Sequence, residues 1–388
     1  MPSKDPGALL MNSLVSKFAG IISLAVLLAI LVAGLWPFNF FPKNQVDWLP
    51  DRDGVRFHGQ GIVTSPVIDQ KQWQRLFRER AITLEIRLRP ELETSSSPCI
   101  VTLYDGKSPD LLTLRQWRSH LVIWSRADDS ADRKRGVQFQ EIGLRDALPK
   151  GQDAFIAIAS DRSGTAVYVN GGPPKAYPRR SLLAATPAGD MRLILGNSPS
   201  GESFWTGDIT GLAVYNRVLA PEEATRDYEA WQRNDSFAIR QQAGLVALYP
   251  FYERQGEMVR NAANPDEALS MPDMFRPLQR RTLEPPAPDL RLNQSFYQDV
   301  AVNILGFIPA GLFFSAFLGK ATRKRKAVVY LVALLLGVGL SLLIEISQAW
   351  LPMRDSSLVD VACNAAGTVL GIVIFQVFKR RCGCSKRK

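Results

Sequence analysis

Three stretches near the C-terminus decide how this chain folds: Asp299–Gly311 (DVAVNILGFIPAG), Ser341–Arg354 (SLLIEISQAWLPMR) and Asp360–Gly371 (DVACNAAGTVLG). Each places acids, amides or hydroxyls at helical spacing within an otherwise apolar run. An ionised group costs roughly 2.5–3.5 kcal/mol at the centre of a membrane helix, so such residues face a bundle interior or cavity and mark function. Positions four apart share a helix face. Asp299 and Asn303 thus form one stripe, Ser341, Glu345 and Gln348 a second, and Asp360, Asn364, Gly367 and Gly371 a third. At 1.5 Å per residue, Glu345 lies about 7.5 Å below Trp350, and Asn303 and Asn364 lie about 6 Å below the aspartates that open their runs. The stripes are expected to meet at one depth, with the loop residues Arg354 and Asp355 above them. Gly367 and Gly371 form a GxxxG pair, which lets a neighbouring helix approach closely.

Four segments of the 388 residues read as spanning helices by length and apolarity, at about Phe18–Trp36, Val300–Leu318, Ala327–Trp350 and Leu358–Phe378. The net charge of +10 suggests nucleic acid until its placement is considered. Much of the excess lies in Lys320 with Arg323–Lys326 and in Lys379–Arg381 with Lys386–Lys388, both flanking apolar runs as cytoplasmic loops do. Anionic membrane lipids are the expected partners of these tracts, and nucleic acid is not. The tracts put both termini in the cytoplasm and the 260-odd intervening residues outside, with Trp36 and Trp350 at the outer interface. The first apolar run is longer than a signal-peptide core and lacks a small-x-small cleavage site, which favours an uncleaved anchor. The expected address is the inner (plasma) membrane.

From about Asp47 to Pro286 short alternating runs are separated by Gly, Pro, Asn and Asp, the pattern of an all-β sandwich. Strands are expected at Ala81–Leu88, Leu121–Trp124, Ala154–Ala159, Ala166–Val169, Arg192–Leu195 and Ile209–Tyr215, with a turn at Asn170-Gly171. One helix is expected, at Pro221–Trp231, with Pro at its start and two glutamates in its first turn. Trp117, Trp124 and Trp205 suit stacking on sugar rings, but filling the sandwich core is the preferred role for any one of them. The Pro-rich stretch 272–298 reads as a stiff connector. Cys99 has no external partner, Cys363 lies within a span, and Cys382 and Cys384 sit in the basic tail, where a reduced pair is preferred to acylation. With only His58 and His120 and no zinc-ligand spacing, neither a metal nor a cofactor is expected.

Two resemblances follow from quoted residues. The runs GVRFHGQG (54–61), ITLEIRLRP (82–90), DRSGTAVYVNG (161–171), LILGN (193–197), FWTGDITGLAVYNRVLAPEEA (204–224) and LVALYPFYERQG (245–256) resemble the laminin-G/concanavalin A-like (LamG) jelly roll. That family commonly binds glycans or proteins, sometimes through calcium, although no compact acidic constellation for calcium stands out here. The polar stripes, with Phe307-x-Pro309-x-Gly311 and Leu351-Pro352-x-Arg354, resemble the VanZ-like family of small bacterial membrane proteins. Its namesake is associated with lowered susceptibility to a lipoglycopeptide antibiotic. The resemblance implies that the first span, ending Trp36-Pro37-Phe38, belongs to the same module.

The expected architecture is therefore mixed: a four-helix transmembrane bundle interrupted by an extracytoplasmic β-sandwich. Its boundaries are 1–17 cytoplasmic, 18–36 first span, 44–271 LamG domain, 272–298 connector, 299–378 remaining spans and 379–388 basic tail. DVAVNILG (299–306) and DVACNAAG (360–367) also form an internal repeat carried by two helices that run the same way. The candidate ligand-binding set is Asp299, Asn303, Ser341, Glu345, Gln348, Arg354, Asp360 and Asn364, with Arg354 placed to offset the carboxylates. Three classes of function fit. The preferred one is a module that binds or shields a cell-envelope glycan or lipid-linked saccharide. The second is an enzyme using Glu345 or Asp360 as acid and base with Arg354 on a phosphate. The third is a transporter, which would need a homo-oligomer. With no nucleophilic triad and no phosphate-cradling loop, the reading leans away from an enzyme.

Overall fold

The computed structural model describes the backbone apart from residues 1–5, 69, 108–109, 128–138, 281, 287–293, 322–325, 353, 355 and 385–388; the side chains of 6–19, 70–72, 74, 295, 320–321 and 381–384 are also left aside. Seven helices occur among the described residues: α1 (Pro6–Leu35), α2 (Gln70–Glu79), α3 (Pro221–Gln232), α4 (Ser236–Arg240), α5 (Gln294–Ala321), α6 (Lys326–Gln348) and α7 (Leu358–Cys384). The chain divides into two compact units. Phe41–Gln279 forms one, and Met1–Phe40 with Arg280–Lys388 forms the other.

The first unit is a sandwich of two antiparallel eight-stranded sheets. One runs Val46–Trp48, Val55–His58, Thr206–Tyr215, Ile82–Pro90, Ala154–Ser160, Gly164–Val169 and Lys175–Pro178, with Leu245–Tyr249 also on Thr206–Tyr215. The other runs Met258–Val259, Leu269–Ser270, Val63–Thr64, Arg192–Leu195, Cys99–Tyr104, Leu112–Trp117, His120–Arg126 and Phe139–Leu144. The alternation of side chains along a strand explains the packing. Leu84, Ile86, Leu88, Ile156 and Ile158 of the first sheet meet Leu103, Leu114, Leu121, Ile123 and Leu193 of the second in one buried core. The intervening residues of the first sheet, among them Phe155, Ala157 and Tyr215, carry a second cluster completed by Leu219, Trp231 and Ile239 of the α3–α4 region. All six expected strands are present within a few residues of their expected ends. Asn170 and Gly171 form the expected turn, with φ of 50° and 70° and Gly172 N–H donating to the Val169 carbonyl at 2.9 Å. Positive φ at both central positions is what a hairpin turn of this hand requires.

One expectation in this unit is corrected. Helices α2 and α4 accompany α3, where a single helix was expected. Trp73 and Leu76 of α2 are 2% and 0% exposed, so a short amphipathic turn is anchored by two side chains three apart.

The second unit is all helical. Three of the four expected spans are long and apolar enough to cross a membrane: Phe296–Gly319, Lys326–Gln348 and Leu358–Arg380, of 24, 23 and 23 residues. The expected first span falls on α1 (Pro6–Leu35), whose apolar stretch among the residues with described side chains is Gly20–Leu35. Its expected start at Phe18 lies outside the residues with described side chains. Large apolar residues such as Val302, Leu305, Leu331 and Leu335 stay outward and exposed, as in helices that face lipid.

Candidate functional site

The register of the bundle follows from its glycines. A Cβ on Gly367 would run into the Ile304 backbone, and one on Gly371 into the Ile308 backbone. Both positions advance by four, so α5 and α7 lie side by side and parallel, in backbone contact through the GxxxG pair. A Cβ on Gly337 would instead meet the Thr368 side chain, and Ser341 pairs with Asn364. One number rises by four as the other falls by four, so α6 and α7 are antiparallel. The next step of that ladder sets Glu345 opposite Asp360.

Polar contacts fill these rungs. Asn364 Nδ2 donates to Ser341 Oγ at 2.9 Å, and Thr368 Oγ1 donates to the Asn364 carbonyl at 2.9 Å. Asn303 Nδ2 of α5 donates to Asp360 Oδ1 of α7 at 2.8 Å, so these two helices meet at that carboxylate. Glu345 Oε2 accepts the Ser357 backbone N–H at 2.8 Å. Gln348 Nε2 donates to the Gly34 carbonyl at 2.8 Å, tying α6 to the end of α1. Ser341, Glu345 and Asn364 are 0%, 2% and 2% exposed, and Asn364 Oδ1 has no hydrogen-bond partner.

Six of the eight candidate residues thus join helices or loop at one end of the bundle. Asp299 does not: it is exposed one turn from Asn303 and makes none of these contacts. Arg354 is also exposed, and it donates to the Trp36 carbonyl at 3.0 Å. The offsetting ion pair expected between Arg354 and the carboxylates is therefore not made with Glu345, because the tight turn at Leu351–Arg354 (Arg354 N–H to the Leu351 carbonyl, 3.0 Å) leads the arginine toward α1. Asp355 lies outside the described residues.

The single stripe expected on α7 is split. Asn364 and Thr368 face α6, whereas Gly367 and Gly371 face α5. The repeat is also unequal in its contacts: a Cβ on Gly306, the counterpart of Gly367, would meet nothing. Sequence reasoning missed Thr368, though it continues the 360/364 spacing, and it missed the Ser357 amide. It also missed a strap from the connector. Leu283 N–H donates to Ser356 Oγ, Glu284 N–H to the Ser356 carbonyl, and Leu358 N–H to the Glu284 carbonyl, at 3.0, 2.9 and 3.0 Å. No signal for these backbone contacts exists in side-chain patterning. Arg280 stacks on the exposed Trp350 ring at 4.0 Å.

In the β unit the three tryptophans separate. Trp205 is 1% exposed and donates from Nε1 to Gln116 Oε1 at 2.6 Å, a core role. Trp124 lies on the outer face with Arg115 over its ring at 4.4 Å and Phe139 at 4.8 Å. Trp117 is 41% exposed beside His120. Under α3 lies a buried carboxyl pair. Glu85 (0% exposed) accepts from Trp231 Nε1 at 2.9 Å, and Asp227 (1%) accepts from Tyr215 Oη at 2.9 Å and Gln242 Nε2 at 3.1 Å. Burial pushes Glu85 well above the ordinary carboxylate range and raises Asp227 as well, the charge of Asp227 adding to the effect on Glu85. Nearby, the hydrogen bonds from Arg217 hold Glu223 down at about 2. Burial raises the Cys99 thiol to about 11, which suits an unreactive core cysteine.

Two family profiles match the chain. VanZ/LLP1 matches residues 224–379, and the concanavalin A-like lectin/glucanases superfamily, in its laminin-G form, matches residues 63–225. The suspected pairing of a VanZ-like module with a LamG domain is thereby shown, as is the mixed fold class. The VanZ/LLP1 match begins in α3 and omits α1, although α1 packs on α5 and α6, with Gly20 against Phe317 and Gly34 against Ile344. No curated protein matches the chain. Among solved structures, a Bacteroides ovatus ATCC 8483 protein provisionally described as carbohydrate binding is 13% identical, with TM-score 0.40, covering 61% of this chain and 62% of its own. A Trypanosoma rangeli sialidase in complex with sialic acid is 17% identical (TM-score 0.37; 49% and 29%). The receptor binding domain of a botulinum neurotoxin C/D mosaic serotype is 10% identical (TM-score 0.37; 48% and 45%). The chain thus spans less than two thirds of each, and likenesses this loose carry no function across.

Proposed function

We propose that this VanZ-like membrane protein, with its LamG insert, holds the polar part of a cell-envelope glycan or lipid-linked saccharide at the polar end of its helical bundle. One observation carries the reading: Asn303 bonds to Asp360, Asn364 to Ser341, and Glu345 to the Ser357 amide, within three otherwise apolar helices. Polar groups buried at membrane depth mark functional sites by default. Asn303 and Asp360 are the half-buried members of that set, and Arg354 is exposed at the same end. Asp360 and Arg354 form the accessible mouth, and Glu345 and Asn364 lie behind it.

The basic tracts flanking the spans support a topology with both termini cytoplasmic and the β unit outside the inner membrane. The β unit then adds carbohydrate or protein recognition, for which the exposed Trp117 beside His120 is suited in kind. The full-length protein, affinity-purified with its native lipids and analysed by mass spectrometry, is expected to retain saccharide-bearing lipid. Asp360→Asn and Arg354→Ala should each lower that retention at least tenfold, and Cys382→Ser should leave it unchanged. A wild-type protein that retains no more saccharide-bearing lipid than an unrelated multi-span protein overturns the reading.

A further inference from the structure

We infer that the inner rungs between α6 and α7 hold a small inorganic cation, taken by the oxygens of Glu345, Asn364 and Ser341 with Asp360 opposite. This goes beyond the envelope-ligand reading and can fail or hold without it.

The first argument is a shortage of donors. Glu345 is 2% exposed and receives one neutral N–H, from Ser357. Among the described residues it meets no lysine, arginine or histidine, and the arginine placed to serve it is committed to the Trp36 carbonyl. One turn away, Asn364 donates its Nδ2 to Ser341 Oγ and leaves Oδ1 buried with no partner. Glu345 lacks a positive charge and Asn364 Oδ1 lacks a donor among the described residues, and a buried acceptor left unsatisfied is costly.

The second argument is size. Gly367 and Gly371 bring α7 against the α5 backbone, and Gly337 brings α6 against Thr368. Spacing this close excludes a sugar ring, so an occupant of the inner rungs must be as small as an ion. The third is the chemistry of the set. Carboxylate, amide and hydroxyl oxygens, without thiolate or imidazole, select hard cations such as Na⁺, Mg²⁺ and Ca²⁺. Among the described residues no three of His, Cys, Asp and Glu gather as a metal site, so neutral oxygens must complete the shell. If Asp360 contributes its charge, the pair of carboxylates matches a divalent ion; Glu345 alone matches sodium.

The test uses the full chain in detergent, stripped with EDTA and exchanged into choline chloride. Thermal unfolding is then followed with added CaCl₂, MgCl₂ or NaCl at matched ionic strength. One of the three should raise the Tm saturably, by about 5 °C at a hundredfold excess over Kd. Metal analysis after ultrafiltration should find about one divalent ion per chain, or none if sodium is the occupant, with labelled sodium then retained instead. Glu345→Gln and Asn364→Ala should each shift half-saturation at least tenfold upward. The glutamine variant keeps the side-chain volume, so its ion-free Tm should equal or exceed that of the wild type, which separates lost binding from failed folding. A Tm identical in all four salts overturns the inference, because a trapped water or a protonated Glu345 then satisfies the rungs. Ion stabilisation that survives both substitutions overturns it too, by placing the ion elsewhere. Loss of saccharide-bearing lipid with ion binding intact would count against the envelope-ligand reading alone.

Discussion

Two regions of this molecule bury carboxyl groups, and they close them differently. In the β unit Glu85 and Asp227 lie under α3 with donors supplied by Trp231, Tyr215 and Gln242. In the bundle Glu345 accepts a backbone amide and Asp360 accepts from an asparagine, beside an asparagine oxygen with no partner among the described residues. The first arrangement is enclosed by aromatic side chains that also fill a core, and it too leaves a buried oxygen, Glu85 Oε1, without a partner. The second lies at the end where three helices and a loop converge, with Asn364 Oδ1 left over and the half-buried Asp360 beside it, the arrangement we propose to hold a ligand. Neither a buried acid nor an unsatisfied oxygen is therefore by itself the mark of a site; the two regions differ in whether the group is closed off by a core or reached from the end of a bundle.

The largest expected effect separating the two regions is on pH. Glu85 and Asp227 have folded values raised above those of the unfolded chain, so the folded β unit keeps protons that the unfolded chain releases above the ordinary carboxylate range. Stability from the pair is fully present below that range and is lost as pH rises toward the folded values. The slope is up to about 1.4 kcal/mol per pH unit for each proton retained. Glu223, held at about 2, works in the opposite sense and only in acid: its contribution is present above the ordinary glutamate value and lost as pH falls toward 2. Between pH 5.5 and 8 the Tm of the β-unit transition should therefore decline, and Glu85→Gln should flatten the decline. A flat wild-type profile would remove the distinction drawn here.

Next in size is the removal of one neutral donor from each region. Trp231→Phe strips the N–H from Glu85 in a fully buried place and should cost about 2 kcal/mol in denaturant unfolding of the β unit. Asn303→Ala strips the donor from half-buried Asp360, where water can replace it, and should cost about 0.6 kcal/mol. Equal costs would mean that the two carboxyls sit in equivalent surroundings. The smallest effect belongs to Asp299→Asn. This exposed copy of Asp360 should change neither the Tm of the bundle nor its retention of saccharide-bearing lipid, and a loss matching that of Asp360→Asn would restore symmetry to the repeat.

Much of this was legible in the chain. The period-two alternation of Ile82–Leu88, the Asn170-Gly171 turn and the three long apolar runs each had one physical reading. The polar stripes pointed to the end of the bundle where the interhelical polar contacts gather. What escaped was rotation. Gly367 and Asn364 are three residues apart, and whether they serve one neighbour or two depends on how α7 is turned between α5 and α6, which the packing decides. Arg354 was assigned by charge, yet the turn at Leu351 sent it to a carbonyl. Trp205 and Trp117 read alike as aromatic residues in a β region, and only the face of the strand separates the core residue from the exposed one. Helix α2 was lost because ten residues give too few repeats for periodicity to outweigh their polarity.

The loop between α6 and α7 holds the chain on both sides of the β insert. Arg354 grips the carbonyl of Trp36, where α1 gives out, and Ser356–Leu358 pair with Leu283–Glu284 on the way into α5. Such a loop acts as a socket. The chain leading into the insert and the chain leading out of it are both fastened within the helical unit itself. Any domain whose ends reach those two fastenings could be exchanged for this one, and the same bundle could be fitted with different recognition heads.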